Sequence, residues 1–235
     1  MNTVIPVWET PTVPVAGTDA RFPVRHIYCV GRNYAEHAKE MGGDAAKEPP
    51  FFFTKPADAV VPVARGAVGR MTYPPGTKNL HHEIELVVAI GRTGAKVDAA
   101  RALELVYGYA TGLDMTRRDL QNEMREKKRP WDIGKSFAQA APIGEIRPVA
   151  AGGHVVRGEI RVDVNGARRQ TGDVADMIWD VAHTLAFLSQ LYELLPGDLV
   201  YTGTPSGVGP VVAGDRLDGA VAGLAPLSIV VDPAR

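Results

Sequence analysis

A single cysteine, Cys29, stands in 235 residues, so no intrachain disulfide can form. That scarcity suits a reducing compartment, and the cytoplasm is the expected location. No apolar run approaches the ~18 residues that a bilayer-spanning helix needs, so no membrane partner is expected. The opening MNTVIPVWETPTVPVAG lacks both a basic start and an unbroken apolar stretch, which argues against a secretory leader. Neither sign of charge dominates, with 26 Lys and Arg against 27 Asp and Glu. A broad nucleic-acid-binding face is therefore not expected. The basic run Arg125, Lys127, Lys128, Arg129 is interrupted by Glu126 and reads as a solvated face. There is no internal repeat and no low-complexity linker.

What is present is the pattern of a soluble, β-rich α+β chain with few helices. Residues 1–25 carry Pro6, Pro11, Pro14 and Pro23 and read as an extended arm or edge strand. Residues 26–235 read as one domain. HIYCVG is a strand, and NYAEHAKEMGG after it is a short helix with Asn33 as N-cap and Gly42-Gly43 as its stop. Residues 83–90 and 107–114 alternate as strands, with glycines on one face of the second. A short helix is expected over 98–106 and a polar one over 116–128. Asn165-Gly166 between strand-like arms signals a hairpin. The longest amphipathic helix is expected over 177–195, where Ile178, Val181, Leu185, Leu188, Leu191 and Leu195 share a stripe.

The stretch HHEIELVVAIG holds the strongest chemical signal. Alternation places Ile84, Leu86, Val88 and Ile90 on one apolar face and Glu83 with Glu85 on the other, their Cα atoms about 6.5–7 Å apart. Two carboxylates this close raise each other's pKa unless a cation lies between them. Asp114, ending the glycine-bearing strand, is the best third ligand if the two strands are neighbours. Three carboxylates suit a hard divalent ion, Mg²⁺ or Mn²⁺, rather than Zn²⁺. The competing reading is three ordinary solvated acids. His81 and His82 read as surface or hydrogen-bonded residues rather than ligands.

The ordered motifs VGRNYAEHAKEM, KPADAVV, NLHHEIELVVAIG, GYATGLDMTRRDLQ, DIGKSF, VNGARRQTG and LVYTGTPSGVGP resemble the fumarylacetoacetate hydrolase family over nearly the whole chain. The closer likeness is to short bacterial members that act on acylpyruvates. PPFFFTKPADAV is most similar to those that split fumarylpyruvate in gentisate breakdown. The resemblance implies a mixed β-sandwich roll, a homodimer, and Mg²⁺ or Mn²⁺ on Glu83, Glu85 and Asp114. It implies a water-activating dyad, His37 and Glu40, on a mobile lid over residues 33–48. It also implies polar groups for the substrate: Arg118, Gln121, Lys135 and Thr204. Ser206 departs from the pattern, since relatives often carry a larger or charged residue there.

The implied reaction is hydrolysis of a 1,3-dicarbonyl 2-oxo acid. His37 is the expected base, Glu40 its orienting partner, and Lys135 and Gln121 the expected oxyanion or enolate donors. Arg118 and Thr204 are expected to hold the substrate, and Arg32 is a further substrate-binding candidate. Lys55 is left between neutralising the site and sitting at its edge. Trp131 and Phe51–Phe53 read as packing residues. Three alternatives stand beside this reading. One is a 2-oxo acid decarboxylase or tautomerase on the same metal site, such as an oxaloacetate decarboxylase. Another is an iron oxygenase using His81 or His82. The last is a non-catalytic binding protein on the same fold.

Overall fold

Strand Ile84–Ile90 is buried along its whole length and forms the centre of the fold. The computed structural model describes residues 2–34 and 48–234. On one side Ile84–Ile90 pairs antiparallel with Leu199–Tyr201, and on the other with Val106–Leu113. The sheet continues through Ile27–Gly31 to Phe51–Lys55 at one edge, and through Ala141–Ile143 to Val60–Pro62 at the other. It is mixed: Leu199–Tyr201 runs parallel to Ile27–Gly31, and Ala141–Ile143 runs parallel to Val60–Pro62.

A second sheet has the order Ala167–Asp173, Glu159–Val164, Arg216–Val221, Leu227–Asp232, Val68–Thr72. Arg216–Val221 packs across Val106–Leu113, and Glu159–Val164 across Ile84–Ile90. The core lies between these layers, where Ile84, Leu86, Val88 and Ile90 are fully enclosed. Burial of such branched side chains stabilises the fold by roughly 1.5–3 kcal/mol each. A small third sheet joins Thr116–Arg117, Leu80–His82 and Gly209–Val211. The architecture is therefore the β-rich, sandwich-like α+β roll with few helices that the sequence led us to expect.

The hairpin at Asn165-Gly166 is present, and both residues have positive φ, 52° and 79°, as the tight mirror-image turn requires. The expected 177–195 helix is shorter, Val181–Leu191. Asp180 starts it by accepting the His183 N–H at 2.8 Å, and Met177 before it is extended. At the far end Leu194 turns away to pair with Gly94, leaving Leu191 exposed. The 98–106 helix is a turn of α-helix, Ala99–Ala102, tightening into 3₁₀ over Leu103–Leu105. The polar helix begins at Arg118 because Thr116 and Arg117 are taken into the third sheet. Within the N-terminal arm, residues 2–10 are exposed, while Thr12–Pro14 and Arg21–Pro23 form a hairpin that buries Val13 and Phe22.

Candidate active site

Glu83 sits in the break between strands Leu80–His82 and Ile84–Ile90, and Glu85 lies inside the latter. Glu85 is paired with Gly112, and the Asp114 N–H donates to the Glu83 carbonyl at 2.9 Å. Antiparallel pairing thus carries Asp114 opposite Glu83. Gly112 is needed there, because a Cβ would lie 2.5 Å from Val87 Cγ2 and 2.8 Å from Tyr201 Cε1. The three acids offer oxygens that all lie within 4.8 Å of one another. They are 5%, 1% and 0% exposed, which rules out three solvated surface acids.

Buried carboxylates need compensating charge. Lys135 donates to Glu83 Oε2 at 2.9 Å, Asp114 Oδ2 at 2.7 Å and Thr116 Oγ1 at 2.7 Å. Burial works against its charge, but Asp114 and Glu83 outweigh that and hold its pKa above the usual lysine range. Lys55, which the sequence left open, is buried and lies 2.8 Å from Asp114 Oδ1. Its ammonium also bonds the carbonyls of Met115 and Lys135, so it meets Asp114 Oδ1 as a charge rather than through an aligned hydrogen bond. Arg118 bonds Glu83 Oε1 and, through Nη1, Gln121 Oε1. That contact fixes the Gln121 amide with its NH₂ directed away from Arg118. Glu85 accepts the Gly203 N–H at 2.8 Å and makes no ion pair with a side chain among the described residues. Burial, Asp114 and Glu83 push its pKa well above the ordinary carboxylate value.

One pocket brings together Arg32, Glu83, Glu85, Arg118, Gln121, Lys135 and Thr204, walled by Val30, Gly31, Phe53 and Trp131. Every described residue that the sequence singled out for the site, apart from the fully enclosed Asp114, lines this pocket. Trp131 and Phe53 pack as expected, the Trp131 ring edge-on to Phe51 at 5.2 Å, but they also form the pocket wall. His37 and Glu40, with most of the expected 33–48 lid, lie outside the described residues.

His81 and His82 are hydrogen-bonded residues. His81 Nε2 meets Asn79 Oδ1 at 2.9 Å, and its Nδ1 faces Arg118 Nε at 3.4 Å. Burial and the Arg118 charge push the His81 pKa down to about 4. His82 Nδ1 meets Gln170 Oε1 at 2.8 Å, and burial lowers its pKa as well. Gln170, wholly buried, also bonds Thr204 and was not anticipated. It is a lone amide in a strand whose other residues are exposed or half-buried, and nothing in its composition marks it. The signal available was its place in the VNGARRQTG motif.

The acids fit a hard divalent ion. All offered donors are carboxylate oxygens, and among the described residues Asp114 Oδ1 is buried without a hydrogen-bond partner and Glu85 has one backbone donor.

Comparison with known proteins gives a consistent pattern. The family model for the fumarylacetoacetate (FAA) hydrolase C-terminal region matches residues 26–232. A fumarylpyruvate hydrolase from Ralstonia sp. is 49% identical over 82% of this chain and 97% of its own. The mitochondrial oxaloacetate tautomerase of Homo sapiens is 37% identical over 88% of this chain and 92% of its own. Among solved structures, the fumarylpyruvate hydrolase of Pseudomonas aeruginosa in complex with Mn²⁺ and pyruvate superposes with a TM-score of 0.97 at 52% identity. That match covers 99% of this chain and 100% of the other.

Proposed function

The chain belongs to the fumarylacetoacetate hydrolase family, and from that premise we propose that it hydrolyses a C–C bond of an acylpyruvate, fumarylpyruvate above all, to fumarate and pyruvate. The observation that carries this reading is the buried triad Glu83, Glu85 and Asp114, of which Glu83 and Glu85 line a pocket with Arg118, Gln121 and Thr204. Those three acids would hold Mg²⁺ or Mn²⁺, which would supply Lewis-acid charge for the developing enolate.

The chain's own groups then divide the work. Water adds to the carbonyl distal to the carboxylate, and the C–C bond on its pyruvoyl side breaks, with the electron pair leaving as pyruvate enolate. His37 takes the proton from that water, Glu40 holds the resulting imidazolium, and that proton returns to the enolate methylene carbon to give pyruvate. Gln121, its oxygen engaged by Arg118, turns its NH₂ to the developing oxyanion. Arg118 binds substrate carboxylate from the pocket wall while bracing Gln121. Thr204 donates to a pyruvoyl oxygen. Lys135 reaches the enolate by exchanging one of its three bonds. Among the described residues, Arg32 lines the pocket with no carboxylate partner and with its buried Nε in no hydrogen bond. It is therefore suited to the distal carboxylate of a dicarboxylic substrate.

Domain and cellular context complete the reading. Residues 26–235 act as the catalytic domain, 33–48 as a lid, and 1–25 as an arm. Exposed Val4, Ile5, Val7 and Trp8 on that arm favour a homodimer in which a second copy covers them. The unpaired, buried Cys29 favours the cytoplasm. Among the described residues, no helix is long and apolar enough to cross a membrane.

The test is product identification with fumarylpyruvate, acetylpyruvate and oxaloacetate, in EDTA and with Mg²⁺ or Mn²⁺. Fumarate and pyruvate in equal amounts, formed only with metal, support the proposal. A much higher kcat/KM for oxaloacetate would move the function to the tautomerase or decarboxylase side, where the human relative stands.

A further inference from the structure

Gln170 has all its hydrogen-bonding capacity committed, and its commitments have a direction. Its Oε1 lies 3.1 Å from the Ile84 N–H, which can only donate. Its Nε2 lies 2.7 Å from the Pro205 carbonyl, which can only accept. These two backbone groups fix which end of the amide is oxygen. The remaining contacts follow: His82 Nδ1 donates to Oε1 at 2.8 Å, and Nε2 donates to Thr204 Oγ1 at 2.8 Å. The Thr204 hydroxyl is thus an acceptor on its buried side. Its own proton has no bonded acceptor among the described residues, while Thr204 lines the pocket with Glu83, Glu85 and Gln121.

The backbone is shaped to put Gln170 there. Along Ala167–Asp173 only Gln170 is fully buried, and the strand does not alternate. Val162 pairs with Gln170 but Asp163 with Arg168, so Arg169 is an extra residue, a bulge. Bulges re-aim side chains. The loop carrying Thr204 and Pro205 closes onto this bulge at Gly207, where a Cβ would lie 2.3 Å from the Arg169 carbonyl.

We propose that Gln170 is a positioning residue: by donating to Thr204 Oγ1 it obliges the Thr204 hydroxyl to act as a hydrogen-bond donor toward a 2-oxo acid oxygen in the pocket. Gln170 does not itself line the pocket. Its effect on ligand passes through Thr204, so the two residues form one unit. This rests on the 2-oxo acid reading of the site, and the test keeps the two separable.

The test is a calorimetric titration of pyruvate into Mn²⁺-loaded protein for wild type, Thr204→Val, Gln170→Glu and the double variant. Glu at 170 is isosteric and keeps the acceptor toward Ile84 and His82, but it replaces the amide donor, so the Thr204 proton turns inward. Each single variant is expected to weaken pyruvate binding by roughly tenfold, the scale of one lost hydrogen bond to a charged ligand. The double variant should bind within about twofold of either single one, because the same bond is lost only once. A roughly hundredfold loss in the double variant, or unchanged binding in Gln170→Glu, overturns the proposal. A merely structural role for Gln170 lowers Tm and multiplies with the Thr204 effect. If Gln170→Glu does not fold, Gln170→Met in the same cycle is read by the same criteria. Coupled losses in a protein that forms no fumarate would overturn the hydrolase reading alone. Independent losses in a protein that does form fumarate would overturn this one alone.

Discussion

Replacing Lys135 by methionine removes the ammonium that neutralises two buried acids. Methionine is close in length and volume, so packing changes little and the effect is electrostatic. Glu83 Oε2, Asp114 Oδ2 and Thr116 Oγ1 each lose a donor at 2.7–2.9 Å. Removing one partner of a buried ion pair costs about 3–5 kcal/mol. Two compensations keep the cost at the low end. Arg118 still bonds Glu83, and Lys55 remains 2.8 Å from Asp114 Oδ1. We therefore expect a loss of about 3 kcal/mol in EDTA, which lowers Tm by about 6–12 °C for a domain of this size. The assay is paired thermal and urea unfolding of wild type and variant in EDTA. Lys127→Met is the control: that lysine pairs with Glu123 at 2.5 Å on an exposed helix face, and its loss should cost no more than roughly 0.5 kcal/mol. If Lys135→Met unfolds with the control, the buried charge balance described for the site is wrong.

Other outcomes follow from the same structure. Gly112→Ala should destabilise by about 1–3 kcal/mol, because its methyl meets Val87 and Tyr201, and should weaken Mn²⁺ binding by shifting the strand that carries Asp114. Gly166→Ala meets no atom of the described residues within 4 Å, so its cost is backbone strain, about 1–2 kcal/mol in urea unfolding, with fumarate formation unchanged. Asp198 is wholly enclosed, and burial raises its pKa despite the Leu195 amide and His26. A raised acid contributes stability below its unfolded pKa of about 3.9 that is lost as pH rises through the folded value. Asp198→Asn should therefore gain on wild type as pH rises from 4 to 8, and a constant difference in urea midpoint would contradict the assignment.

How far the residues alone reached depended on what kind of constraint each one obeyed. Glu83, Glu85 and Asp114 were legible because strand alternation and antiparallel pairing are local rules, and the two strands proved to be neighbours. The same alternation could not reveal that Ile84–Ile90 is buried on both faces, since a second layer decides that. The stripe from Ile178 to Leu195 overran the helix because both of its ends lie half-buried in non-helical chain, which shares no helical period. Lys55 was undecided because its partner, Asp114, is 59 positions away. Gln170 was marked only by its place in the VNGARRQTG motif, because a bulge at Arg169 broke the period that would have placed it inward. His37 and Glu40 rest on motif likeness, as spacing alone gives only two side chains on one helix face.

In the proposed reaction, C–C cleavage depends on one hard ion held by Glu83, Glu85 and Asp114. Titrating EDTA-stripped protein with Mn²⁺ while following fumarate release from fumarylpyruvate tests it directly. No release is expected in EDTA, with recovery that saturates at one Mn²⁺ per chain and no recovery in Glu85→Gln at the same concentrations. Undiminished release in EDTA, or a Glu85→Gln titration that overlays the wild type, would contradict it.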